Sequence, residues 1–349
     1  MKKLFYQLAL IAAAAITVSA CEKENFADGS GNDDEVKWVI SSASIAEDDD
    51  TTADAASDTR AEFGDFVDGK YKFLWSKENE LELKYVFIRA VVNDLSMRNW
   101  DSANGNTKIS GVSDDGSKIW FLLPEHNMNG DERYYSIVYP AQSAYIDQSG
   151  SSAPTAYLSH PHEQHPLKAG TPAPEAIGLY CFPTDIDNKL SGYDVKLQHA
   201  FAYVKFHLTG LSAGERIKKA TITETGEYNE TAISGTLKIG LGINTSIMKD
   251  QGNLSRSIDV IYDKFDNPVA DESGEFDVWL TTSNGCYSSS SFNSPISTLQ
   301  LTIETDKSTY TKTSSLFPIS WKDGNSTIYW FPRGKVYKMT CNLNTWDKN

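Results

Sequence analysis

At 349 residues, 40% hydrophobic and 11% aromatic, the chain can bury a substantial core but is long for a single β-sandwich, so two domains are expected. A formal charge of -15, with no cluster of Lys and Arg to neutralise phosphates, excludes nucleic acid as a partner. The acidity is uneven: residues 1–60 hold 12 Asp and Glu against 5 Lys and Arg, and residues 61–349 hold 35 against 27.

The first element is an export signal over residues 1–20. Met-Lys-Lys opens it, an apolar run covers Leu8 to Ile16, and small residues precede Cys21; nine apolar residues are too few to cross a bilayer. Val18-Ser-Ala-Cys21 resembles a bacterial lipobox, which would make Cys21 the acylated first residue of a mature lipoprotein. Glu22-Lys-Glu24 resembles the acidic tag that sends some lipoproteins to the outer face of the outer membrane.

Residues 21–60 read as a leader. Its stretches 22–35 and 46–59 are mostly Asp, Glu, Ser, Thr, Ala, Gly and Asn, with too few large apolar groups to offset the entropy of ordering, and both are expected to be flexible. Between them runs Val36-Lys-Trp-Val-Ile-Ser-Ser-Ala-Ser-Ile45. Read as a strand, it puts Val36, Trp38 and Ile40 on one face and Val39, Ala43 and Ile45 on the other. The parity slips after Ile40, which asks for a bulge or a strand apolar on both faces. Arg60 is the only basic residue between Lys37 and Lys70, and the 32 residues from Trp38 to Gly69 carry nine acids. A protease pocket that demands a cation therefore has one address in this stretch. Cutting there leaves Ala61 first and discards the strand, and an open sheet edge can be filled by a neighbouring molecule. Val36, Trp38, Val39, Ile40 and Ile45 are each worth about 1.5–3 kcal/mol when buried, so the strand is worth on the order of 10 kcal/mol as an upper value.

Beyond Arg60, short β-rich runs recur at Tyr71–Trp75, Leu81–Val92, Lys118–Leu123 and Arg133–Tyr139, with turn chemistry at Asn104-Gly-Asn106 and Asp114-Asp-Gly-Ser117. From about Ala153 to Pro183 the chain is rich in Pro, His and Ala and reads as a long excursion over the surface. The cleanest alternation follows: Ala202, Val204, Phe206 and Leu208 face one way and Tyr203, Lys205 and His207 the other, as in a half-buried antiparallel strand. Further runs lie at Arg216–Thr223, Ala232–Leu241, Glu275–Thr282, Thr298–Glu304 and Lys335–Leu343. With no helical periodicity after the signal, the expected class is all-β, in two sandwich-like domains over residues 61–195 and 196–349.

Motifs that specify chemistry by spacing are missing: there is no H-E-x-x-H, P-loop, G-x-S-x-G or dinucleotide Gly fingerprint. No cofactor is expected. His160-Pro-His-Glu-Gln-His165 places three imidazoles within six residues; they could converge on zinc or copper, but prolines and the lack of strand parity make a polar loop the better reading. Asp48-Asp-Asp50 lacks the spacing of a calcium loop and reads as a solvated charge run. Cys181, Cys286 and Cys341 have no C-x-x-C spacing. One bridge among them is conceivable, but Cys341 shares strand parity with Tyr337, Met339 and Leu343 and reads as a packed thiol. Trp75, Trp100, Trp120, Trp279, Trp321, Trp330 and Trp346 mostly sit in strand-like runs, where a core role is the default.

Several segments in order resemble the fimbrillin family, the subunits of type V pili: Val18–Cys21, Thr59-Arg60-Ala-Glu-Phe63, Tyr134-Tyr-Ser-Ile-Val-Tyr-Pro-Ala141, Leu197-Gln-His-Ala-Phe-Ala-Tyr-Val-Lys-Phe-His-Leu208, Ala232-Ile-Ser-Gly-Thr-Leu237 and Gly334-Lys-Val-Tyr-Lys-Met-Thr-Cys-Asn-Leu343. The resemblance runs nearly end to end. It implies two transthyretin-like β-sandwich domains in tandem and a lipoprotein precursor held in the outer membrane by lipid on Cys21. It further implies an Arg-specific surface protease that cuts after Arg60, and a groove in the amino-terminal domain that a terminal strand from another pilus subunit fills by donor-strand exchange. Family members that donate a strand tend to continue well past a Trp-Asp pair, whereas here Trp346-Asp347 is followed only by Lys348 and Asn349. The expectation is therefore a non-catalytic tip or minor subunit of an extracellular pilus, in contact with a host or bacterial surface ligand. An anchor subunit would instead keep its lipid and its first strand. Two other readings stand beside it: an unpolymerised surface lipoprotein that captures glycans through exposed Trp and Tyr, and a β-sandwich hydrolase with carboxylates paired only in three dimensions.

Overall fold

The structure is a computed structural model that describes residues 35–41, 45–47, 62–67, 70–75, 82–94, 97–124, 132–148, 154–181, 184–185, 193–226, 232–241, 247–249, 253–283, 298–314, 321–323, 326–328, 331 and 333–349. In chain order the strands are β1 (Glu35–Ser41), β2 (Ile45–Glu47), β3 (Glu62–Val67), β4 (Lys70–Leu74), β5 (Glu82–Asp94), β6 (Met97–Val112), β7 (Lys118–Pro124), β8 (Glu132–Tyr139) and β9 (Ala144–Asp147). Next come β10 (Thr155–Leu158), β11 (Glu163–Gln164), β12 (Leu179–Tyr180), β13 (Thr184–Asp185), β14 (Tyr193–Lys196), β15 (Gln198–His199), β16 (Ala202–Thr209), β17 (Ile217–Glu224) and β18 (Leu237–Gly240). The remainder are β19 (Ile247–Lys249), β20 (Ser257–Ile261), β21 (Phe276–Thr282), β22 (Leu299–Thr305), β23 (Thr309–Ser314), β24 (Trp321–Asp323), β25 (Ser326–Ile328), β26 (Lys335–Asn342) and β27 (Asp347–Lys348). No α-helix occurs among the described residues, and the chain is all-β, as its period-2 patterning requires.

The largest sheet runs β14-β1-β7-β6-β5-β8-β12-β15, with β13 also paired to β8. A second sheet runs β21-β16-β26-β2-β4-β3, a third β11-β20-β17-β22-β23-β27, and a fourth β19-β18-β10-β9, while β24 and β25 pair with each other. Two clusters of buried side chains fill the interior. One gathers Val204, Phe206 and Leu208 of β16 with Ile222, Val260, Val278, Leu301 and Ile303. The other gathers Phe73, Trp75, Leu83, Ile119, Phe121 and Ile137, joined by Tyr203, Trp279 and Val336 from the second half of the chain.

β16 keeps the expected half-buried alternation from Val204 to Thr209, with Lys205, His207 and Thr209 partly exposed on its second face. Its second face carries Tyr203, fully buried, and Lys205, whose ammonium pairs with Asp277 at 2.8 Å. It is not purely antiparallel: it lies antiparallel to β21 but parallel to β26, so both of its edges are occupied. The stretch 154–181 is likewise no surface excursion. Pro154, Ala156, Leu158, Pro166, Ala173, Ala176, Ile177 and Leu179 are buried, and β10, β11 and β12 pair its backbone into three different sheets. Small Ala and Pro side chains here fit between packed layers, and the ladders satisfy the polar backbone that would otherwise keep the segment outside.

Asn104-Gly-Asn106 is not a turn; it lies inside β6, with Tyr85 of β5 opposite Gly105. The Tyr85 ring covers the missing side chain, so a Cβ on Gly105 would come within 2.8 Å of the Tyr85 hydroxyl oxygen. Gly105→Ala is therefore expected to cost about 1–3 kcal/mol through overpacking, read as a lower urea midpoint at unchanged slope. The turn at Asp114–Ser117 forms as expected, with Gly116 at φ +69°. Cys181 and Cys341 are buried free thiols, and burial pushes both up to about 12, so neither is a nucleophile. Trp75, Trp279 and Trp346 are buried core residues, as expected.

Candidate functional site

Residues 35–41 and 45–47, within the stretch expected to be a leader, enter the fold as two strands in two sheets. β1 lies between β14 and β7 in the largest sheet. It runs parallel to β14, with Trp38 opposite Tyr193, Val39 opposite Asp194, Ile40 opposite Val195 and Ser41 opposite Lys196. Three residues later β2 lies between β26 and β4 in the second sheet. There Ala46 is opposite Lys335 and Glu47 opposite Val336 in a parallel pairing, and Ile45 is opposite Tyr71 in an antiparallel one.

This corrects two expectations. The slip in parity after Ile40 is neither a bulge nor a strand apolar on both faces; it marks a change of sheet. Ala46 and Glu47, which composition assigned to a flexible stretch, belong to β2, because the tertiary ladder supplies what local propensity does not.

Both leader strands are interior to their sheets, so removing them would strip hydrogen-bond partners from β14, β7, β26 and β4 together. These neighbours converge on one buried cluster, to which Val195, Ile119, Phe121, Val336 and Phe73 all belong. The β3–β4 hairpin has a hold on that cluster independent of β2. Phe73 meets Trp75 edge-on at 5.2 Å and His199 at 5.3 Å, Trp75 meets Tyr139 at 5.3 Å, and the Trp75 amide donates to Gly116 at 2.8 Å. His199 Nδ1 in turn sits 2.8 Å from the Tyr203 hydroxyl.

Residues 1–20, Cys21, Asp48–Asp50, Arg60, Ala61 and Cys286 lie outside the described residues, as do the side chains of Val36, Trp38, Val39, Ile40, Ile45, Trp100, Trp321 and Trp330. The backbones of the five leader residues form the strands just given. The sheet change within the leader was missed by sequence reasoning; the run Ser41-Ser-Ala-Ser44, without large apolar groups, is the local signal that could have found it.

The three imidazoles do not converge, and no group of His, Cys, Asp and Glu that could hold a metal occurs among the described residues. His160 is not on a polar loop but buried, with Nε2 2.8 Å from Thr281 Oγ1 and its ring edge-on to Phe201. His165 Nδ1 lies 2.7 Å from Asp263, and His162 is exposed. Gln164, fully buried between them, donates to the Thr281 carbonyl and accepts from the Thr281 amide, both at 2.9 Å. Its carboxamide thus closes the outer edge of β21 in the way a neighbouring strand would.

Burial pushes the His160 ring down to about 3, so it is neutral in the folded protein. Between pH 6.5 and about 3 the unfolded chain binds a proton that the folded one does not. Stability from this site is complete above pH 6.5 and falls as the pH drops, by at most about 1.4 kcal/mol per pH unit. Urea midpoints measured from pH 7 to 4 should show this decline, and His160→Gln should flatten it.

No protein-family model and no curated protein matches the sequence. Solved structures of similar outline include a protein assigned to cell adhesion from Bacteroides ovatus, at 9% identity and TM-score 0.46 over 90% of this chain and 94% of that one. Others are the tip fimbrial protein Mfa3 of Porphyromonas gingivalis with a C-terminal truncation, at 9% identity and TM-score 0.36 over 90% and 98%, and a fimbrial protein of Bacteroides ovatus, at 12% and 0.32 over 78% and 45%. With TM-scores below 0.5, none of them transfers a role to this chain.

Proposed function

We propose that the chain is a non-catalytic pilus subunit that assembles by donor-strand exchange. In this reading the precursor is carried to the outer membrane as a lipoprotein on Cys21, and an Arg-specific surface protease cuts between Arg60 and Ala61. The observation that supports it most is the placement of residues 35–41 and 45–47 as interior strands of two sheets, ahead of Arg60, the one arginine in the sequence between them and β3. Excision of that segment opens two slots, one in each of two sheets. A strand of another pilus subunit fills them, supplying ladder hydrogen bonds and apolar side chains, and its slow dissociation holds an extracellular filament together without covalent links. The division into domains 61–195 and 196–349 belongs to the same reading.

The finer role is a tip or minor subunit that contacts a surface ligand. It is supported by the pairing of Lys348 with Tyr310 and Asp347 with Thr311, which holds β27 in its own sheet rather than offering it to a neighbour. Mild Arg-specific proteolysis followed by size analysis with a stalk subunit tests the proposal. The expected outcome is a new amino terminus at Ala61 and a stable complex that forms only after the cut; residues 22–60 still attached on mature filaments would rule the mechanism out.

A further inference from the structure

The four-stranded sheet β19-β18-β10-β9 has one face in the core and one outside. Ile146, Ala156, Ile239 and Ile247 point inward and are buried, which fixes the outward row as Tyr145 on β9, Tyr157 on β10 and Lys238 on β18, directly opposite one another. Tyr145 is 65% exposed. Its ring centroid is 6.0 Å from that of Tyr157, with the planes at 44°, and the Lys238 ammonium stands 5.6 Å from the centre of the Tyr157 ring. Two residues along, the next row on the same face holds Asp147, Thr155 and Gly240, all partly exposed.

From this arrangement we infer that the outer face of β9, β10 and β18 is a binding platform for a neutral glycan. A sugar ring has an apolar face of C–H groups and a rim of hydroxyls that both donate and accept. The exposed Tyr145 ring offers a flat apolar surface with the tilted Tyr157 ring beside it, the Asp147 carboxylate accepts only, the Lys238 ammonium donates only, and Gly240 leaves room beside Thr155. Lys238, lying over Tyr157, holds that ring and leaves Tyr145 as the presented one. The two rows together carry one cation, Lys238, and one carboxylate, Asp147, so their charge is balanced and does not select an anionic ligand. Among the described residues the other exposed large hydrophobics are Leu254 and Val269, each under 40% exposed. So small an apolar surface suits a sugar better than a standard protein interface of about 800 Å² a side. The rigid backing costs the platform little ordering on binding.

The site lies outside residues 1–60 and does not depend on strand exchange. Saturation-transfer NMR with the full chain and cellotetraose, xylotetraose or chitotetraose is the test. At least one probe should show saturation on ring C–H protons. Tyr145→Ala should weaken its binding about tenfold or more at unchanged melting temperature, Tyr145→Phe should retain it within about threefold, and Asp147→Asn should weaken it. An Arg60→Ala chain should bind as well as the unmodified one, which separates failure of assembly from failure of this site. No saturation with any of the three, binding untouched by Tyr145→Ala, or self-association of the unmodified chain in sedimentation that Tyr145→Ala abolishes would each overturn the assignment, the last in favour of a second copy.

Discussion

A full chain carrying Arg60→Ala is expected to stay intact under an Arg-specific protease and to form no strand-exchanged complex, whereas the unmodified chain is expected to be cut and to form one. The selectivity follows from where the other arginines sit. Arg89, Arg98 and Arg133 lie within β5, β6 and β8. Arg216 is bridged to Val269 and donates its amide to Asp306, Arg256 donates to the Gly226 carbonyl, and the Arg333 guanidinium lies over the Tyr180 ring. A protease must draw several residues of extended chain into its cleft, and paired backbone resists that. Arg60 falls instead in the acid-rich link between β2 and β3. Spontaneous exchange without cleavage should be rare: even half of the ~10 kcal/mol upper value for the leader strand leaves only about one chain in several thousand open. Mass measurement of the proteolysed chain and size analysis with a stalk subunit provide the check. Assembly of Arg60→Ala protein at the unmodified rate would show that cleavage is not the switch.

The second large effect concerns the cut chain itself. Because β1 and β2 stay paired after the peptide bond is cut, the leader should remain bound until a competitor or mild denaturant displaces it. Once stripped, the chain from Ala61 onward should melt lower by on the order of 10 °C or more, since a loss of about 5 kcal/mol is expected from two interior strands. A synthetic peptide of residues 35–47 should restore the original melting temperature, and a peptide of residues 35–41, which fills only the slot between β14 and β7, should restore part of it. The difference between the peptides measures the second slot, between β26 and β4. A natural donor that fills both slots must then supply strand for the seven residues of β1 and the three of β2. If the stripped chain melts as the intact one does, the leader is not a structural plug.

Much of this protein was legible in its residues because alternation is a local property. Ala202, Val204, Phe206 and Leu208 point to one core whatever strand lies beside them, Cys341 follows the parity of Tyr337 and Leu343, and Asp114–Ser117 turns because Gly116 permits a positive φ. The identity of a strand's neighbour is a different kind of fact. β1 beside β14, β2 beside β26 and β11 beside β20 are parallel pairings between segments far apart in the chain, chosen by the summed packing of the whole rather than by any nearby residue. The same cause put Gly105 mid-strand under the Tyr85 ring, buried much of residues 154–181, and divided residues 35–47 between two sheets. Side-chain period alone settled the all-β class and the position of a first β segment ahead of Arg60. Which ladders that segment completes, and that they lie in two sheets around one aromatic cluster, was decided only when distant strands closed on each other and satisfied their backbones.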